Sequence, residues 1–563
     1  MPPVCPVPLT TGPAGRGTPG LRNPLAGLPL PGVSVSPPAA GLRCDFRNLP
    51  LKQRLRCSCP HSPAGTHEKG RALSELVAAE DVLLFVNAAV TATGQREFRS
   101  SAAAQHFSLR FVHEYVRVNY RPVYAAALAL DINHHNAALI VEQLLRAPHE
   151  AGGPEAKRAE GRLIAARLAL LPPQRVYRLF RTLRAAGVNN RRTRAIVRAW
   201  LAARPDPTLD AVKYRPGLKT ALRHVHARPA DPETGDFLFA PGRRVRYESD
   251  TLDAYRRAHY EQAALYELPF TVAEGFAAKH KVPRAVFLER IAPRMTRLEQ
   301  LRADRTTRAA TGAEADLAGM PLTRLALYVL ALPFGERVER RAELTGALRA
   351  AARRAAGPYA GSWGRVAAVL DDSFSSSGST VKRRRPLAVA LGCHFLLEAL
   401  AAPGAYTALW TSGGSDPLLV RPTGPTPLGL RILDALETGP DRVVIVSDGW
   451  DNAPPGLAGE VLRVWRSRLD PERRTSVVHL NPVYDAEGFD VRRLAPSVPT
   501  AGIRDAEDLA ALVEIAQFAE GRTGFAELRT YLDRRVELFL RPTGKWGAEE
   551  GAGLGACSCK AED

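Results

Sequence analysis

The sequence predicts a multidomain protein: an all-α region of stacked helix pairs, followed by an α/β domain with a parallel sheet. Three observations predict this. Between about residues 73 and 355, apolar residues recur at three- and four-residue spacing, the period of a helix with one buried face. From about 360 to 543, short apolar runs rich in β-branched residues alternate with helical stretches, the pattern of strands joined by crossover helices. The length of 563 residues suits roughly two to four domains at about 150 residues each.

Residues 1–70 are rich in Pro and Gly and show little periodicity, so they read as a disordered leader or as a start assigned too far upstream. Helical periodicity begins at Ser74–Asn87 and returns at Ala137–Leu145, Val176–Ala186, Arg191–Ala203 and Arg284–Ile291. Breaks fall at Gly152-Gly153-Pro154, Pro172-Pro173, Gly187 and Pro205. Short amphipathic helices punctuated in this way suit a stack of helix pairs, although no strict internal period is visible. In the second region the expected strands are Arg365–Leu370, Tyr406–Thr411, Arg442–Ser447 and Ser476–Leu480. The expected helices are Pro386–Ala402, Pro427–Glu437, Gly456–Arg466, Ala506–Glu520 and Phe525–Leu540. A Gly-rich tail, 545–563, closes the chain as a loose segment.

Apolar content of 45% and charged content of 24% are ordinary for a folded protein. The net charge of +19 is not. An excess of this size favours a polyanionic partner. It is also concentrated: residues 151–250 hold 21 Lys and Arg against 9 Asp and Glu. A uniform compositional bias would spread it evenly. Seven cysteines at irregular spacing argue against a disulfide framework and for a reducing compartment. The strings Cys57-Ser-Cys59, with His61 nearby, and Cys557-Ser-Cys559 lack the spacing of a zinc finger. No segment approaches the ~18 apolar residues of a membrane span, and the N-terminus lacks the pattern of a secretory signal. The expected setting is cytoplasmic, without a membrane partner.

The chemistry concentrates in three loops. Asp371, Ser373 and Ser375 form D-x-S-x-S directly after the apolar run Val366–Leu370. Thr426 lies in Thr423-Gly-Pro-Thr426-Pro-Leu-Gly, just before an expected helix. Asp448 lies in Ser447-Asp448-Gly449, at the end of the most strand-like run in the chain. Carboxylates and hydroxyls are hard oxygen donors, suited to Mg²⁺ rather than to zinc or copper. In a parallel α/β sheet, ligands bind beyond the carboxyl ends of the strands, where these loops fall. The plain alternative is a serine-rich turn, with Asp448 in an ordinary β-turn. On these residues, 360–543 resembles a von Willebrand factor A domain, a Rossmann-like α/β fold, with a metal-ion-dependent adhesion site. The resemblance implies that Ser373, Ser375 and Thr426 ligate the cation directly. It implies that Asp371 and Asp448 act directly or through water, and that one position stays open for a partner's carboxylate or solvent. Ser376-Ser377-Gly378 stands where the family often has Met or Gly.

The basic stretch carries a second resemblance. Arg191, Arg192, Arg194 and Arg198 crowd one helix start and its next turn; Lys213, Arg215, Lys219, Arg223, His226 and Arg228 follow. Guanidinium forks bind phosphates bidentately, and Tyr214 or His226 can stack on unpaired bases. The plain alternative is a solvated helix face with intrahelical ion pairs, but acidic residues are sparse here. Lys213-Tyr-Arg-Pro-Gly217 with Leu222-Arg-His-Val-His226-Ala-Arg-Pro229 is similar to a stretch of the TROVE module of Ro-type RNA-binding proteins. So are Ala195–Trp200 and Met320–Tyr328, although Tyr328 and Val329 stand where that module usually has Arg-Asn. The resemblance spans about 73–540. It implies HEAT-like helical repeats in a ring or horseshoe, RNA on the outer basic surface, and single-stranded ends entering a central hole closed by the A domain. It further implies a monomer that scaffolds small noncoding RNA or serves RNA quality control. An RNA-processing nuclease or other protein would then dock at the metal site.

An enzyme is not expected. No phosphate-binding G-x-x-x-x-G-K-[ST] loop and no G-x-S-x-G elbow occurs. Asp371 and Asp372 are neighbours on an extended backbone and face opposite ways, which rules them out as an acid/base pair. His134-His135 head an expected helix and point in different directions. A capping or partly buried role is expected for them, and for His106 and His113. The competing function is a protein-binding scaffold that captures an acidic partner through Mg²⁺, or an accessory to a ring ATPase.

Overall fold

A computed structural model describes residues 67–147, 153–229, 231–296, 299–300, 303, 317, 319–509 and 525–541. The Cys57/Cys59/His61 and Cys557/Cys559 strings, most of the expected helix Ala506–Glu520 and the tail from 542 lie outside the described residues.

The chain folds into a helical region followed by an α/β region. Helices begin where local chemistry favours them. Asn133 accepts from the backbone N–H of Asn136 at 2.9 Å, Asn190 from Thr193 at 2.9 Å, and Asp206 from Leu209 at 2.8 Å. Each such cap stabilises its helix by about 1 kcal/mol. Pro173, Pro207, Pro216 and Pro232 open helices within the first two positions, where their missing N–H costs nothing. The helices Pro173–Ala185, Arg191–Ala202 and Arg215–Val225 each bury one apolar stripe: Val176, Leu179, Phe180 and Leu183 on the first, Ile196, Val197 and Trp200 on the second, Leu218, Leu222 and Val225 on the third.

The sheet has five parallel strands: β1 (Val366–Leu370), β2 (Tyr406–Trp410), β3 (Arg442–Val446), β4 (Ser476–Asn481) and, after a two-stranded hairpin of β5 (Tyr484–Asp485) and β6 (Asp490–Val491), β7 (Thr500–Gly502). The order is β2-β1-β3-β4-β7. Every residue of β1 is buried, because both faces of the sheet are covered. On one face lie the helices Leu322–Ala331, Arg341–Ala356 and Arg385–Leu400. On the other lie Leu428–Glu437 and Leu457–Val464. The chain leaves β1 for β2 on one side and returns to β3 on the other. The topological switch point therefore lies between β1 and β3, where open sheets bind ligands. In register, Leu370 stands opposite Val446, so the residues after these strands emerge together.

Two features cut across the linear order. The core on one face of the sheet takes in Met320, Leu322, Leu344 and Leu348, upstream of the change in sequence pattern near 360. Conversely, Leu528 and Leu532 of the helix Phe525–Leu540 join the helical region's core. The helix His67–Thr91 meets the sheet edge: Asn87 donates to Asp490 at 3.0 Å and accepts from the Gly502 N–H at 2.9 Å. A Cβ on Gly502 would lie 2.7 Å from the Thr91 methyl, so only glycine permits this approach. Tyr484 shares a 2.8 Å hydrogen bond with Ser108. No helix among the described residues is long and apolar enough to cross a membrane.

Candidate functional site

Asp371 follows β1 and Asp448 follows β3 by two residues, at the switch point. Three loops meet there and are laced by hydrogen bonds. The Asp371 N–H donates to the Val446 carbonyl at 3.0 Å, Thr423 to Asp372 at 3.0 Å, and Phe374 to Gly424 at 3.0 Å. Asn452 closes the set, its N–H on the Thr426 carbonyl at 3.3 Å and its side chain accepting the Thr426 N–H at 2.7 Å. Gly378 ends the first loop at φ +67°, and a Cβ there would collide with the Lys382 carbonyl. The positive φ and the contact both demand glycine.

All five predicted ligands are buried at these loops: Asp371, Ser373, Ser375, Thr426 and Asp448 are each at most 7% exposed. Asp371 Oδ1 accepts from the Ser373 N–H at 2.9 Å, and Ser373 Oγ lies 3.2 Å from Ser375 Oγ. Asp448 Oδ1 also accepts from the Trp450 N–H at 3.0 Å. Burial, and then the Asp448 charge, raises the Asp371 carboxyl; burial raises Asp448 as well. Two desolvated carboxylates facing each other with hydroxyls between them fit a hard divalent cation, which would offset their repulsion. Asp372 faces away, held by Ser412 Oγ at 2.6 Å and the Ser412 N–H at 2.8 Å. Among the described residues no group of three or more His, Cys, Asp or Glu is placed to hold a metal; the candidate site mixes two carboxylates with three hydroxyls.

Residues remote in sequence border this site. Arg99, from the loop between the helices His67–Thr91 and Ala102–Asn119, places Nε 3.9 Å from Asp448 Oδ2 and its guanidinium carbon 4.2 Å from the Trp450 ring centre. The Arg492 guanidinium carbon lies 3.7 Å from the same ring. Two guanidinium groups this close to one ring centre cannot share a face, so Trp450 is sandwiched. Phe98 meets Phe374 edge-on at 5.8 Å, and buried Glu97 pairs with Lys382. Trp450 stands two residues from Asp448 but was not among the residues expected there, and nothing local in the sequence marks Arg99 or Arg492.

The ten basic residues differ in setting. Arg192 pairs with Glu160 at 2.8 Å, beside Arg121 on the same carboxylate at 2.9 Å. Arg198 donates to the Val225 carbonyl at 3.0 and 2.6 Å, and Arg215 donates to the Phe237 carbonyl at 2.9 Å while stacking on its ring. These three hold helices together. Arg191, Arg223, His226 and Arg228 are exposed. His226 ends its helix at φ 50°, and Arg223 and Lys219 lie over Phe239 at 5.3 and 5.6 Å. Arg194 and Lys213 are half-buried, the latter 5.7 Å from the Tyr214 ring. Tyr214 itself packs on Tyr177 at 5.6 Å. The expected scarcity of acidic partners thus has local exceptions, among them Glu160 and Asp210, which takes Arg204 at 2.6 Å.

The histidines have structural places. His113 is fully buried between Tyr124 (2.8 Å) and Asn136 (3.1 Å). His134 and His135 begin a helix whose cap is Asn133. No family model matches this chain, and no curated protein matches it.

Proposed function

We propose that this protein binds small structured or single-stranded RNA on its basic helical surface and docks a protein partner at a Mg²⁺ site in its α/β region. The observation that carries the RNA reading is the set of exposed basic residues Arg191 and Arg223 on adjoining helices, with His226 and Arg228 just past the end of the second, within the stretch holding most of the chain's charge excess. The resemblance to TROVE modules, with HEAT-like repeats in a ring or horseshoe, agrees with the stack of short capped helices. The resemblance to von Willebrand factor A domains agrees with the strand order and the three laced loops. In this reading the protein is a cytoplasmic monomer that scaffolds noncoding or misfolded RNA and performs no catalysis. Asp371, Ser373, Ser375, Thr426 and Asp448 would hold the cation, which supplies a Lewis-acidic docking point. An RNA-processing nuclease is one candidate for the docked protein.

With roughly six to ten phosphate contacts, affinity falls about 10³–10⁵-fold between 50 and 200 mM salt. A protein scaffold without RNA is the second reading, favoured by the arginines around Trp450 beside the cation site. Asp371→Ala separates the two. RNA retention on a filter survives this substitution in the first reading, whereas in the second there is no RNA to retain and only partner capture is lost. Crosslinking in the native cell followed by RNA sequencing identifies the RNA.

A further inference from the structure

Three consecutive residues of the helical region reach three parts of the candidate cation site. They lie in the loop 92–101, between the helices His67–Thr91 and Ala102–Asn119. Glu97 pairs with Lys382, just beyond the loop that follows β1. Phe98 meets Phe374, the residue between Ser373 and Ser375, edge-on at 5.8 Å. Arg99 places Nε 3.9 Å from Asp448 Oδ2 and its guanidinium carbon 4.2 Å from the Trp450 ring centre. Among the described residues, the one backbone–backbone hydrogen bond within 93–100 runs from the Glu97 N–H to the Ser100 carbonyl, at 3.1 Å. The segment is therefore held against the site chiefly by these side chains. Asp448 is 7% exposed, so solvent screens its attraction to Arg99 less than it would at an open surface.

We propose that Glu97, Phe98 and Arg99 form a strap by which the helical region restrains cation binding in the α/β region. The Arg99 guanidinium is a tethered counter-charge that competes with a divalent cation for Asp448. This rests on the cation reading above. Charge gives the sign. Arg99 already offsets part of the repulsion between Asp371 and Asp448, and it repels a dication brought to them. By linkage the antagonism is mutual: the cation weakens the hold of Arg99 on Asp448 by the same factor as Arg99 weakens the cation. Glu97 and Phe98 fix how closely Arg99 is held, and so set the strength of the effect. Arg492, also on Trp450, belongs to the α/β region and stays with the site, whereas Arg99 is withdrawn whenever its loop is drawn back. A change in the helical region that moves this loop thus changes the cation affinity.

The test uses the full chain and Mn²⁺, with the free ion counted by electron paramagnetic resonance. Arg99→Gln is expected to bind Mn²⁺ about tenfold more tightly than wild type, within the usual range for coupled sites. Arg99→Lys, which keeps the charge, is expected to stay close to wild type. Phe98→Ala removes no charge but loosens the strap, and is expected to tighten Mn²⁺ by a smaller factor. In the wild type, hydrogen exchange across 92–101 is expected to quicken when Mn²⁺ is added, a readout that needs no variant to fold. Equal or weaker Mn²⁺ binding by Arg99→Gln overturns the proposal. So does a gain in Arg99→Lys as large as in Arg99→Gln, or slower exchange across 92–101 with Mn²⁺ bound. If wild type and Ser375→Ala bind Mn²⁺ identically, it is the cation reading that falls.

Discussion

Arg198 closes the end of its neighbour's helix: its guanidinium donates twice to the Val225 carbonyl, at 3.0 and 2.6 Å. A residue that reads in sequence as a phosphate contact therefore holds the helices Arg191–Ala202 and Arg215–Val225 together. Charged hydrogen bonds of this kind contribute about 1.5–3 kcal/mol. Arg198→Ala is expected to lower the unfolding free energy by that order in a urea titration. Arg191→Ala, at an exposed position, is expected to stay within about 0.5 kcal/mol of wild type.

The loop after β1 depends on Gly378. Its φ of +67° and the Lys382 carbonyl exclude a Cβ. Gly378→Ala is expected to cost on the order of 1–3 kcal/mol and to weaken Mg²⁺ binding, as measured by thermal melts with and without the ion. Gly404, at φ +74° with open space around it, is the control: substitution there strains the backbone and leaves Mg²⁺ binding intact.

Cation binding stabilises the native state by linkage, about 2.7 kcal/mol at a hundred times the dissociation constant. Mg²⁺ is expected to raise the melting temperature of the wild type. Chelation with EDTA reverses the shift. Asp448→Asn, which removes one of the two buried carboxylates, abolishes most of it.

Burial lowers the His113 pKa to about 3, below the usual 6.5. The folded state therefore prefers the neutral ring. The resulting stability is full above about pH 6.5 and is lost as pH falls toward 3. Within that window the loss is about 1.4 kcal/mol per pH unit. Chemical denaturation between pH 7 and 5 is expected to show this decline, and His113→Gln to flatten it.

Much of this architecture was legible in sequence. The apolar run before Asp371 is β1 to within one residue, and Phe525–Leu540 is a helix with the expected bounds. Two of the loops were readable because Asp371 and Asp448 come just after the apolar runs of β1 and β3, and the third because Thr426 lies just before the helix Leu428–Glu437. β7 was not, since three residues at the sheet's edge carry no periodicity. Nor was the packing of Leu344 and Leu348 on the sheet, because an amphipathic stripe does not name the surface it covers. The structural duty of Arg198 and the sandwich on Trp450 depend on partners 27 or more residues away, and a sequence carries no local mark of such contacts.

The most direct measurement is the salt dependence of RNA retention on filters, with pooled cellular RNA, for wild type and for Arg191→Ala/Arg223→Ala/Arg228→Ala. Wild type is expected to retain RNA at 50 mM salt. The slope of log affinity against log salt is expected to be shallower by about two in the triple variant, since each lost phosphate contact removes about 0.7–0.9. No retention by wild type at 50 mM salt, or identical slopes for the two proteins, would contradict the account.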